Sequence, residues 1–168
     1  MQENYRSNLV SIEGTRFMPW GTNFAGDPER GGKFRSTARV GDIIIPDEGL
    51  AHELMDEGFK IRSTAPRAGE EEGFVPTYYA KIKLSFAGKY PPTVRVITDP
   101  VNCRWTNLDE DTIEMLDRIR KGKVNVLLNK YFGENGNSLY IRTMYVWQDA
   151  DDDPWASMFE NTEDHLPF

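Results

Sequence analysis

Hydrophobic and polar positions alternate with period two over several short stretches, and that period predicts strands. Val75 to Phe86 is one such strand, and its alternation is clearest from Tyr78. Tyr78, Ala80, Ile82, Leu84 and Phe86 fall on one side, and Tyr79, Lys81, Lys83 and Ser85 on the other. Thr93 to Thr98 follows the Pro91-Pro92 break with Val94 and Val96 opposite Thr93, Arg95 and Ile97. Lys123 to Phe132 and Ser138 to Trp147 flank a Gly/Asn-rich turn at Gly133 to Asn137, the signature of a hairpin. Nearer the N-terminus, Asn8 to Trp20 reads as an opening strand or hairpin with Gly14 marking a turn. Lys33 to Ile45 and Phe59 to Thr64 read as extended. Gly21 to Gly32 and Ala65 to Gly73 carry the Gly, Pro and acidic residues of loops.

Two stretches have helical spacing instead. Pro46 to Glu57 places Leu50, Leu54 and Met55 on one stripe, with Asp47 and Glu48 at the positive end and Gly58 as a stop. Asp109 to Arg120 buries Ile113, Leu116 and Ile119, with Asn107 or Asp109 as cap, an acidic first turn and a basic last turn. Short strands with a helix before the last hairpin predict a mainly β domain, an OB-like curled sheet or barrel with two short helices, over residues 1–148. Residues 149–168 are expected to form a disordered acidic tail.

Charge changes the picture. The chain carries 20 basic and 27 acidic residues, a net charge of −7, which on its face excludes a nucleic-acid binder. Seven of the acids lie in Asp149 to Phe168, which has no Lys or Arg, so the body is neutral. Within the body, 78–104 holds five bases against Asp99, and 118–148 holds six against Glu134. Segregated basic segments of this kind can track a phosphate backbone. Lys33, Arg35, Thr37 and Arg39 share a parity opposite Phe34, Ala38 and Val40, and Tyr140 and Arg142 oppose Leu139, Ile141 and Tyr145. Cations neutralise phosphates, and aromatic faces stack on unpaired bases whatever the sequence. The candidate DNA-binding residues are therefore Arg35, Arg39, Tyr79, Lys81, Lys83, Arg95, Lys123, Lys130, Tyr140 and Arg142.

The tail has its own chemistry. Asp151, Asp152 and Asp153 lead to Glu163, Asp164, His165, Leu166, Pro167 and Phe168. An aromatic ring can fill an apolar pocket while upstream acids steer it to a basic rim, so Asp151, Asp152, Asp153, Glu163, Asp164, Leu166, Pro167 and Phe168 are the candidate partner-binding residues. Trp155, Met158 and Phe159 share one face of a helical turn and could close the domain edge or dock elsewhere. Self-association as a homodimer stays open.

These features carry a resemblance. The acidic stretch ending in Leu166-Pro167-Phe168 resembles the tip of bacterial single-stranded-DNA-binding proteins. Asn23 to Gly26, Leu54 to Phe59, Tyr78 to Leu84, Leu108 to Leu116 and Leu139 to Val146 resemble a family of phage-encoded single-stranded-DNA-binding proteins with an OB-fold. The resemblance implies sequence-independent binding during phage replication or recombination, without a cofactor, and recruitment of replication or recombination proteins by the tail.

Other classes find little support. His52 and His165 sit in no ligand spacing, no phosphate-binding Gly-rich motif occurs, and Asp151 to Asp153 are poorly preorganised for a metal. No enzyme, metal or cofactor is expected. Cys103 reads as a buried free thiol. A single cysteine, with no signal peptide or membrane span, predicts the cytoplasm, that of the bacterial host if phage-encoded. The rival readings are an acidic interaction module or DNA mimic inhibiting a host DNA-binding enzyme, which the basic segments oppose, and a phage structural or assembly protein.

Overall fold

The computed structural model describes residues 8–149. Its strands are β1 (Leu9–Thr15), β2 (Phe17–Asn23), β3 (Arg39–Ile45), β4 (Ile61–Ser63), β5 (Tyr78–Leu84), β6 (Thr93–Asp99), β7 (Arg104–Leu108), β8 (Lys121–Gly133) and β9 (Gly136–Gln148). Its helices are α1 (Glu48–Asp56) and α2 (Met115–Arg118). The candidate tail residues Asp151, Asp152, Asp153, Trp155, Met158, Phe159, Glu163, Asp164, Leu166, Pro167 and Phe168 lie outside the described residues.

The strands form one curled, mainly β sheet in the order β1-β8-β9-β5-β3-β2, with β4 on β5 and the β6–β7 hairpin on β9. β1 and β2 do not make the hairpin that Gly14 allowed. β1 pairs with β8 and β2 with β3, both antiparallel, so the two ends of the path are halves of one bent strand. The bend falls where Gly14 takes φ 65° and the β1–β8 register slips between Ile12 and Thr15. There the Thr15 hydroxyl donates to the Ile44 carbonyl at 2.6 Å, and the Ile44 N–H to the Arg16 carbonyl at 3.0 Å. The chain thus crosses from one partner strand to the other, but no β1–β2 ladder closes the sheet into a barrel.

The inner side of the curled sheet holds the core. Alternation puts Ile43 and Ile45, Ala80, Ile82 and Leu84, Val94 and Val96, and Val124, Val126 and Leu128 inside it. α1 covers part of this core with Ala51 and Leu54. Its start is fixed by Asp47, which accepts from the Gly49 and Leu50 N–H groups, and it stops before Gly58 at φ 93°. The second helix is shorter than its spacing suggested. Asp109 does cap the segment by accepting from the Asp111 and Thr112 N–H groups. The bonds that follow, Met115 to Thr112 and Leu116 to Ile113, close tight three-residue turns, so an α-helix is confined to Met115–Arg118. Ile113, Leu116 and Ile119 are buried as expected.

Three expectations fail locally. Lys33 to Ala38 is not a strand: Ser36 donates to the Gly31 carbonyl, Arg35 to that of Gly32 at φ 51°, and Phe34 is 88% exposed. Cys103 is exposed, not buried, and turns the β6–β7 hairpin at φ 55°. Tyr145, expected on the core side of β9, lies on the opposite side because the strand carries a bulge. The β8–β9 register steps from Leu128↔Ile141 to Leu127↔Thr143, leaving Arg142 as the extra residue. Before the bulge Leu139 and Ile141 point inward; after it Met144 and Val146 do. Edge strand β7 has no counterpart among the expected elements.

Candidate nucleic-acid interface

Strand register assembles aromatic rings and cations on the outer side of the sheet, in two groups. The first centres on β5. Lys83 lies beside Tyr140 in the parallel β5–β9 register, with its Nζ 6.0 Å from the ring centre and 3.1 Å from the Ser138 hydroxyl. Tyr140 in turn meets Tyr131 edge to face at 6.0 Å. On the other flank Tyr79 packs edge to face on Trp20 at 5.0 Å, and the Trp20 indole N–H donates to Asp42 at 2.7 Å. Lys81 sits between these flanks, opposite Asp42. Lys60, Arg62, Lys81 and Lys83 line a hollow of about 180 Å³, with Asp42 its one acid.

The second group lies further along β9. β6 runs parallel to β9 here, so Arg95 stands beside Tyr145 and Ile97 beside Trp147. The Arg95 guanidinium carbon is 4.2 Å from the Trp105 ring centre and 5.4 Å from that of Tyr145. Its Nε donates to Asn107 Oδ1 at 3.0 Å, which fixes the guanidinium against the rings. Lys123 of β8 lies 4.1 Å from the centre of the Trp147 ring. The hairpin turn is held by Asp99, which accepts from Val101 and Asn102. The Asn102 side-chain and backbone donors hold the Asp99 carboxyl below its ordinary value.

The sequence-predicted residues separate accordingly. Tyr79, Lys81, Lys83 and Tyr140 meet in the first group, and Arg95 and Lys123 in the second. Arg142 is exposed at the bulge between the groups. The other three stand apart. Arg35 is in the Gly31–Ala38 loop and pairs with Glu29 at 2.6 Å. Arg39 has the parity of buried Gly41 and Ile43, so it faces inward, contrary to the expected alternation. Its guanidinium donates to the Phe24 and Ala25 carbonyls at 2.9 and 3.1 Å and lies over Phe86. Lys130 also faces inward: its side chain is 6% exposed, and its Nζ is 2.7 Å from Glu57 Oε2.

Sequence reasoning missed Trp20, Lys60, Arg62, Trp105, Tyr131, Tyr145 and Trp147 on this side. Arg104 to Asn107 are exposed on both faces, so no apolar stripe marked β7 and its Trp105. Tyr131, by contrast, shares odd parity with Lys123 and could have been read with it. Among the described residues no group of His, Cys, Asp or Glu could hold a metal, and no helix is long and apolar enough to cross a membrane.

A search of curated proteins returned no match. Among solved structures, the chain is similar to the C-terminally truncated single-stranded DNA-binding protein from bacteriophage Enc34. The identity is 13%, covering 88% of this chain and 90% of that one, with a TM-score of 0.49. It is also similar to gp2.5, a single-stranded DNA binding protein encoded by bacteriophage T7, at 15% identity over 86% of this chain and 96% of that one, with a TM-score of 0.41. Residues 1–167 match the family model described as "Putative phage ssDNA-binding domain". With that match running over nearly the whole length, the chain belongs to the family of phage single-stranded-DNA-binding domains.

Proposed function

We propose that this chain binds single-stranded DNA, without regard to sequence, across the outer side of its sheet. The observation that carries the reading is the pairing of Lys83 with Tyr140 across the β5–β9 register. It sets a phosphate-neutralising cation beside a base-stacking ring on a solvated face, and the same pairing recurs with Lys123 and Trp147. Rings of this kind stack on any base, and their contribution is lost when bases are already paired in a duplex. Lys81, Arg95 and Arg142 add charge along the same side. A DNA mimic would present acids there, whereas the hollow around Lys81 and Lys83 holds four cations and one acid.

Fluorescence titration with oligo(dT) at two salt concentrations, beside a duplex of equal length, tests this. Quenching by the single strand, weakened by salt, is expected. Equal or tighter binding to the duplex overturns the reading.

The biological setting we propose is phage DNA replication or recombination in the bacterial host cytoplasm. The acids of 149–168 and the Leu166-Pro167-Phe168 tip recruit replication or recombination proteins. Support comes from the charge pattern, which pairs an acidic segment without Lys or Arg with a locally basic binding side. Deleting Phe168 removes partner binding and leaves DNA affinity unchanged if the assignment is right. Loss of both activities together overturns it.

A further inference from the structure

We infer that the outer side contains two separable single-strand subsites, and that the β6–β7 hairpin with the end of β9 is the second. The inference rests on the single-strand reading above and divides its site. The bulge at Arg142 marks the boundary. Upstream of it β9 borders β5, and downstream it borders β6. Each neighbour brings its own cation to its own ring: Lys83 to Tyr140 before the bulge, Arg95 to Tyr145 and Trp105 after it.

Tyr140 and Tyr145 lie opposite Asn129 and Asn125, four residues apart on β8, so about 13 Å separates them at roughly 3.3 Å per residue. That distance corresponds to about four nucleotides at the roughly 3.4 Å spacing of stacked bases. A very short oligonucleotide therefore occupies one subsite, and a longer one reaches both.

The second subsite is prepared before DNA arrives. Trp105 is 48% exposed on an edge strand, yet its ring is braced by Arg95, which Asn107 holds. A ring already positioned loses little freedom on stacking, so it adds more to affinity than a free side chain would. Among the described residues β7 pairs only with β6, and Arg104 to Asn107 are all exposed, so this part of β7 contributes little to the core. The side chain of Trp105 can therefore be removed without unfolding the domain.

The test is a ladder of oligo(dT) from about 4 to about 16 nucleotides, the span of site sizes known for OB-folds. It uses the full chain and its Trp105→Ala, Trp105→Phe and Tyr140→Ala variants. For the unchanged protein, affinity rises with length and then rises again once both subsites are reached. Trp105→Ala removes the second rise, costing roughly 5- to 150-fold on long oligonucleotides and nothing on the shortest. Trp105→Phe keeps a ring and restores part of it. Tyr140→Ala lowers affinity at every length. Equal losses at all lengths for Trp105→Ala mean one continuous site and overturn the inference, as does no loss at any length. Failure of the unchanged protein to bind any oligonucleotide refutes the single-strand reading itself, a separate outcome.

Discussion

The ammonium of Lys130 lies 2.7 and 2.9 Å from the two carboxylate oxygens of Glu57, tying the inward side of β8 to the residue that ends α1. The backbone carbonyl of Glu57 accepts from the Asn137 side chain at 3.0 Å, so the hairpin tip and the helix end are joined twice. Lys130→Met strands a partly buried carboxylate. Removing one member of a buried pair costs about 3–5 kcal/mol, and the remaining exposure of Glu57 puts the loss at the lower end, about 3 kcal/mol. A lower urea midpoint is expected, and the double variant Lys130→Met/Glu57→Gln should recover part of it. DNA affinity of the folded fraction should not change. A drop in affinity without a drop in stability would return Lys130 to the DNA-binding set.

Lys81 and Lys83 present the opposite behaviour. They stand on the solvated side of β5, so replacing them should spare the fold and weaken DNA binding. Each phosphate left without its cation reduces the slope of log affinity against log salt by about 0.7 for a single strand. Lys81→Ala/Lys83→Ala should therefore flatten the slope by about 1.4 if each lysine meets one phosphate. An unchanged slope places the strand elsewhere.

Asp117 anchors the loop that follows β2. Its carboxylate, in a side chain only 3% exposed, accepts from the Phe24 and Ala25 N–H groups at 2.8 Å each and from the Thr22 hydroxyl at 2.5 Å. Asp117→Ala leaves these donors without their partner, at roughly 1–3 kcal/mol for each one that water cannot reach. A thermal midpoint lowered by several degrees is the expected result. Faster amide exchange at Phe24 and Ala25 would localise the loss, and protection equal to the unchanged protein would rule the anchor out.

Truncation after Asp149 tests the acidic segment. Asp149 itself is kept, since its N–H donates to the Arg120 carbonyl at 2.8 Å. The acids beyond it are expected to compete with DNA for the basic side, at the effective concentration of a tethered ligand. Removing 150–168 should tighten DNA binding, most at low salt, where attraction is least screened. Weaker binding at every salt concentration would show that those residues support the domain.

Much of the sheet was legible because a strand buried on one side writes that side into its own sequence. Ala80, Ile82 and Leu84, and Val94 and Val96, follow the expected parity without exception. The errors arise where a feature depends on a distant partner. Lys130 and Lys83 look alike in the chain, yet one meets Glu57 and the other Tyr140. Arg39 continued an alternation that began at Lys33, but Arg35 and Ser36 between them turn back to donate to the Gly32 and Gly31 carbonyls, which resets the phase. β7 escaped notice because an edge strand exposed on both faces has no apolar stripe to show. Tyr145 was misplaced because a bulge is defined by the number of residues opposite it, which one strand alone does not contain.

That extra residue at position 142 acts as a phase shifter for everything after it. If β9 ran through Arg142 in regular alternation, with no bulge, Tyr145 and Trp147 would turn into the interior and Met144 and Val146 out to water, a change that no single substitution could repair. Loss of one residue at the bulge is therefore absorbed, whereas loss of one residue elsewhere in β9 turns over every side chain beyond it. In comparing sequences, a gap opposite Arg142 therefore signals a strand that lacks the bulge yet turns the same residues inward.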